Sequence, residues 1–260
     1  MMKKSSPDRG LSIDLLLERF QIVYGRVVLN DPYDPVSELV LTILSQNTTD
    51  KNSGAAFAAL RKRFGDDWDA VRRARPATIA NAIRQGGLAD QKAPRIKAIL
   101  QEIHSTQGTL SLDHLDEMSD EEALDYLTAF PGVGPKTAAC VLMFSLRRPV
   151  LPVDTHVHRV GLRLGLIPPK TDANKAHSLL QEQLTSEQVI DFHIQMIRHG
   201  KRTCIARQPR CSTCVLQDHC PAAAADYGLG PERTARALEL LAQARTRGTD
   251  PHPPPGTNHA

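Results

Sequence analysis

Apolar residues in this chain recur three and four apart, segment after segment. Nowhere do they show the sustained alternation, flanked by turn signals, of a half-buried strand. That periodicity constrains the chain to an all-α fold. SIDLLLERFQIVY sets Ile13, Leu16, Leu17, Phe20 and Tyr24 on one face. DPVSELVLTILSQ opens with Asp34 as N-cap and Pro35 at the first helical position. DKNSGAAFAALRKRF follows, with Asp50 as the expected cap. RPATIANAIRQGG has Pro76 just inside its start and Gly86 and Gly87 past its end. DQKAPRIKAILQEIH accommodates Pro94 if that residue falls in the first turn, where backbone donors lack partners anyway. SDEEALDYLTAF carries a capping box, Ser119 with Glu122. Further helices are expected at 136–146, 155–165, 173–184 and 187–199, with a polar one over 231–247 and a disordered end. With 41% hydrophobic but only 4% aromatic residues in 260, the core must be mainly aliphatic and alanine.

The charged start MMKKSSPDRG leads into no apolar run, which argues against a signal peptide or membrane span and for a cytoplasmic protein. The net charge of +3 does not by itself imply a nucleic-acid partner, but its distribution is uneven. From Phe192 to Gln217 there are five Lys or Arg and no acid; from Gly108 to Pro135 there are seven acids and no Lys or Arg.

Four of the five cysteines fall between Cys204 and Cys220, spaced Cys204-x6-Cys211-x2-Cys214-x5-Cys220. In a reducing compartment a disulfide framework is disfavoured. Four thiolates with short, unequal gaps can wrap one compact inorganic centre. By chemistry alone zinc and a [4Fe–4S] cluster both fit, although only one Cys-x-x-Cys knuckle is present. Cys140, inside AACVLMF, reads as a buried small hydrophobe. His156 and His158, two apart on a helix, point to different faces and do not suggest a metal pair.

The stretch YLTAFPGVGPKTAACVLMF reads as helix, tight turn, helix. The Gly132-Val133-Gly134 turn can be an ordinary corner. Its backbone N–H groups and the following helix start can equally hold a phosphate. Lys136 stands in the first turn of the second helix, where the helix dipole disfavours a cation. It is either a solvated lysine or one placed to lose its proton. An ordinary lysine has only about one amine in a thousand unprotonated near pH 7, and positive potential and burial raise that fraction. Asp154, in LPVDTHVHR, suits an N-cap and also a carboxylate held beside developing positive charge; the two roles are compatible.

PGVGPKTA, VDTHVHR and HGKRTCIARQPRCSTC occur in the order and rough separation that mark endonuclease III. The chain from about Leu11 to Cys220 resembles that iron–sulfur branch of the helix-hairpin-helix DNA glycosylases. The resemblance implies a [4Fe–4S] cluster on Cys204, Cys211, Cys214 and Cys220. It implies two lobes: a six-helix domain at 36–148, and a cluster domain joining 11–35 to 149–221, with 222–260 as a partly disordered extension. Double-stranded DNA containing damaged bases or abasic sites would lie between the lobes, bound by a monomer. Lys136 would be the nucleophile and Asp154 the catalytic carboxylate of a bifunctional glycosylase and AP lyase for oxidised pyrimidines. The scaffold also serves mismatch thymine or uracil glycosylases, and a non-catalytic damaged-DNA-binding protein is the alternative from another class.

DNA contacts are expected from the Gly132–Gly134 turn and from Lys201, Arg202, Arg207 and Arg210, which can otherwise form a solvated basic face. The family fills the hole left by a flipped base with a leucine, matching Leu88, and a loop glutamine. Here the chain departs from the pattern Ser-Ala-Gln-Ala-Thr-Asp and reads Ser45-Gln46-Asn47-Thr48-Thr49-Asp50. Asn47 takes the glutamine's place and Gln46 stands beside it, so either could fill the gap. Pro135 stands where better-known members carry arginine.

Overall fold

A computed structural model describes residues 11–227, and among them the chain is helical, with no strand. It forms two units: residues 29–152, and residues 11–28 together with 153–227. The expected polar helix at 231–247 and the expected disordered end lie outside the described residues. No described helix is long and apolar enough to cross a membrane.

The unit at 29–152 contains α2 (Pro35–Ser45), α3 (Asp50–Phe64), α4 (Trp68–Arg73), α5 (Pro76–Ile83), α6 (Ala89–Gln107), α7 (Asp120–Thr128) and α8 (Pro135–Phe144). Their apolar stripes converge on one aliphatic core that includes Leu39, Ile43, Leu60, Ile83, Ile96, Leu100 and Leu142, all fully buried. Asp34 caps α2 by accepting the Ser37 N–H at 3.0 Å. The Ser119–Glu122 box closes the start of α7.

Local chemistry departs from expectation at two places. The cap of α3 is Thr49, whose hydroxyl accepts the Asn52 N–H at 3.3 Å, and Asp50 lies in the first turn instead. Both residue types can cap; the extended backbone at Thr49 decides between them, and Asp50 still complements the helix dipole. Pro94 is the sixth residue of α6, past the first turn. Burial of Ala93, Ile96, Leu100 and Ile103 along α6 outweighs the donor that Pro94 lacks. Neither the short α4 nor the 3-10 turn at Asp113–Glu117 was marked by periodicity. The α4 helix is closed by Lys97, whose ammonium donates to the Arg72 and Ala74 carbonyls at 2.5 and 2.9 Å.

The other unit contains α1 (Ile13–Tyr24), α9 (Thr155–Leu164), α10 (Ala173–Gln181), α11 (Gln188–Arg202) and α12 (Pro221–Tyr227). α1 and α9 both pack on α11, burying Leu16, Phe20, Val157, Val160, Phe192 and Met196. Inside this packing the Tyr24 hydroxyl bonds to His199 Nδ1 at 2.9 Å and Thr203 Oγ1 at 2.7 Å. Burial pushes the Tyr24 phenol well above its ordinary range. α12 belongs to the folded unit: Ala223 is buried, and Pro221 lies against Gly165.

Candidate functional site

The hairpin of 29–152 is anchored from beneath. Phe130 and Val133 are buried, which leaves Pro131 and Gly132 exposed between them. Gly132 has φ 73°, a left-handed conformation, and a Cβ there would come within 2.4 Å of Arg95 Nε. Glycine is needed for both reasons. Gly134 is the N-cap of α8, Pro135 the first helical residue and Lys136 the second, half-buried. The first turn of α8 has no acidic residue. Cys140 is buried on the same helix.

Glu38 on α2 is a buried carboxyl that sequence reasoning passed over. Burial raises its pKa to about 7, against the opposing pull of the Thr42 hydroxyl and the positive charges of Lys136 and Arg147. Lys136 thus stands within electrostatic reach of a group that exchanges its proton near neutral pH.

At the end of α2, Gln46 is drawn into the hairpin. Its Nε2 donates to the Gly132 carbonyl at 3.2 Å and to Thr137 Oγ1 at 3.3 Å, and its Oε1 accepts from Arg95 at 3.0 Å. Asn47 is exposed at φ 54°, and Leu88 is 46% exposed at φ 51°. Leu88 is therefore at the surface and not in the core.

In the other unit, Asp154 is the N-cap of α9; its Oδ1 accepts from the His156 and Val157 N–H groups, both at 2.8 Å. Burial depresses the pKa of His156, and its Nδ1 is bonded to Arg159 at 3.1 Å. His158 Nε2 bonds to the Thr171 carbonyl at 2.7 Å. Both rings are engaged by protein groups.

The cysteine loop leaves α11 at Thr203. The Arg210 N–H returns to the Thr203 carbonyl at 2.9 Å and closes the segment between. Arg163 of α9, another residue without a sequence signal, braces it from inside. Its guanidinium donates to Cys204 Sγ at 3.2 Å and to the carbonyls of Ile205 and Ala206, both at 2.8 Å. The Leu216 N–H donates to Cys214 Sγ at 3.4 Å, and backbone N–H groups of Ala222 and Ala223 serve Cys220. Burial, reinforced by Cys220, Cys204 and Cys211, pushes the Cys214 thiol up to about 12. Cys214 feels the other three cysteines electrostatically, and N–H groups serve Cys204, Cys214 and Cys220. Among the described residues no three such groups converge tightly enough to hold a single metal ion, and four cysteines with N–H donors are the ligand chemistry of an iron–sulfur cluster. Lys201, Arg207 and Arg210 are exposed, whereas Arg202 is half-buried with its guanidinium 5.8 Å from the Tyr24 ring.

Known proteins are similar to this chain in sequence and fold. A family model described as the HhH-GPD superfamily base excision DNA repair protein matches residues 40–186, and one described as the iron–sulfur binding domain of endonuclease III matches 204–220. The chain is 36% identical to endonuclease III of Sulfolobus acidocaldarius over 183 residues, which is 70% of this chain and 79% of that protein. It is 45% identical over 163 residues to an Arabidopsis thaliana protein named as a candidate DNA glycosylase, covering 63% of this chain and 55% of the relative. Among solved structures, a trapped endonuclease III–DNA covalent intermediate shares the fold at a TM-score of 0.70, with 24% identity over 83% of this chain and 98% of that one.

Proposed function

We propose a two-step chemistry from a plain premise: this chain belongs to the HhH-GPD superfamily of base excision DNA repair proteins, in its endonuclease III-like, iron–sulfur branch. Its partner is DNA and its cofactor a [4Fe–4S] cluster. The substrate we assign is an oxidised pyrimidine in duplex DNA, removed by a monomer that then cleaves the strand. The observation that carries this reading is Lys136, half-buried in the acid-free first turn of α8 behind the Gly132–Gly134 hairpin.

A damaged base is inaccessible within the stack and must be flipped out. The unprotonated Lys136 amine attacks C1′ of the deoxyribose, and the electrons of the breaking glycosidic bond leave with the base. Asp154 supplies negative charge to the sugar as positive charge develops there. Ring opening passes a proton to O4′ and forms an iminium between Lys136 and C1′. Loss of the C2′ proton then feeds electrons towards that iminium, and the 3′ phosphate departs. Cys204, Cys211, Cys214 and Cys220 would hold the cluster, which when bound would join the two halves of the loop; Arg207 and Arg210 on that loop would contact phosphate.

Borohydride added during reaction with an abasic-site duplex should trap a covalent protein–DNA adduct at Lys136, because only an amine nucleophile yields an iminium that hydride can reduce. Lys136→Gln should abolish the adduct while duplex binding persists. Tight binding without trapping across a pH series would instead favour a non-catalytic binder.

A further inference from the structure

Lys92 is 2% exposed, on the side of α6 that packs into the core with Ala89, Ala93 and Ile96. A buried ammonium needs strong acceptors. Lys92 finds two carbonyls, Leu44 O at 2.7 Å and Gly86 O at 3.2 Å. The first ends α2; the second ends the 3-10 turn Arg84–Gly86. That turn is seated on α3 so closely that a Cβ at Gly86 would meet Ala56 Cβ at 2.9 Å. Asn47 follows Leu44 by three residues, and Leu88 follows Gly86 by two. Both are exposed and left-handed, a conformation that asparagine tolerates but leucine rarely adopts, so at Leu88 the surroundings must hold it.

Arg95 is three residues beyond Lys92 on α6. It holds the Gln46 Oε1 and lies against Gly132, while Gln46 Nε2 serves Gly132 O and Thr137 Oγ1. Extracting Gln46 would break three hydrogen bonds. Asn47 stands at the exposed tip of the same loop.

We propose that Lys92 and Arg95 are positioning residues that hold the Asn47 and Leu88 tips as one rigid pair, with Asn47, and not Gln46, presented to the space a flipped nucleotide leaves. This assignment rests on the base-flipping activity proposed above. It makes Gln46 part of the hairpin's architecture, and Asn47 the residue that meets the base opposite the lesion.

The test uses a duplex with one tetrahydrofuran abasic analogue, which has no aldehyde and cannot form an iminium, opposite 2-aminopurine. Affinity is compared with that for the undamaged duplex, and the 2-aminopurine emission reports filling of the gap. Wild type should prefer the abasic duplex and change the emission. Lys92→Met, which preserves bulk but removes both donors, should lower that preference about tenfold while undamaged binding is unchanged. Asn47→Ala should remove the emission response, and Gln46→Ala should only weaken it. Wild-type preference in a folded Lys92→Met overturns the clasp. If Lys92→Met does not fold, the two loop variants decide: full response in Asn47→Ala with loss in Gln46→Ala overturns the assignment, as does a wild type without preference. An intact response without borohydride trapping at a natural abasic site would defeat the lyase chemistry and leave this assignment standing.

Discussion

The hairpin at Phe130–Lys136 and the loop at Cys204–Cys220 are both irregular, yet they are held by opposite means. The hairpin is pinned by apolar side chains. Phe130 and Val133 enter the aliphatic core of 29–152, and helices leave it in both directions. The cysteine loop has buried apolar residues only in its second half, at Val215 and Leu216. Its first half is held by Arg163, by the Arg210 N–H and by whatever its thiolates bind. A turn with its own core anchor keeps its shape without a cofactor. A loop braced by a few polar bonds and bearing four thiols depends on the cofactor to join them.

The largest expected effect breaks one region and spares the other. Cys214→Ala should speed hydrogen exchange across 199–216 by about a thousandfold, whereas the amides of α2 to α8 should change by less than about tenfold. Equal acceleration in both regions would mean that the cysteine loop has no special dependence on its cluster. Phe130→Ala is the mirror experiment. It should cost about 4 kcal/mol in the unit at 29–152 and leave the iron–sulfur absorption unchanged.

The next effect sharpens the comparison through pH. Glu38 holds its proton more tightly folded than unfolded, its pKa rising from 4.5 to about 7. Between those values the native state carries the extra proton, so raising the pH costs stability, by about 3 kcal/mol at full displacement. Glu38→Gln should flatten that dependence in the melting of 29–152; an unchanged slope would mean that Glu38 titrates normally. Smallest of all is the stability effect of Asp154→Asn, which should be within about 0.5 kcal/mol because asparagine also caps a helix. Base removal should nonetheless collapse, since the amide lacks the charge the sugar needs. Preserved rates would reduce Asp154 to a cap.

Helix identity was readable because it is local. Caps such as Asp34 and Ser119, Pro35 and Pro76 at first positions, and the apolar stripe of α1 act within a few residues of themselves. The Gly132-Val133-Gly134 turn and the cysteine spacing were readable for the same reason, and so were the place of Lys136 in the first turn of α8 and of Asp154 as the cap of α9. Local rules failed where two were nearly equal, as for Thr49 against Asp50, or where packing overrode one, as at Pro94.

The sequence by itself determined the all-helical class, the hairpin and the ordered motifs, because each depends on neighbours in the chain. Only the tertiary structure decided what Gln46, Lys92, Arg95, Arg163 and Glu38 do. Gln46 and Asn47 are adjacent amides with the same chemistry, and nothing local separates them; the distinction comes from Gly132 and Thr137, some 90 residues on. Lys92 did carry one sign, a charge at a core-facing helical position, but its acceptors belong to two other elements. A buried polar group is decided by partners that the fold brings to it, and those partners are set by the packing of apolar faces in which the group itself takes no part.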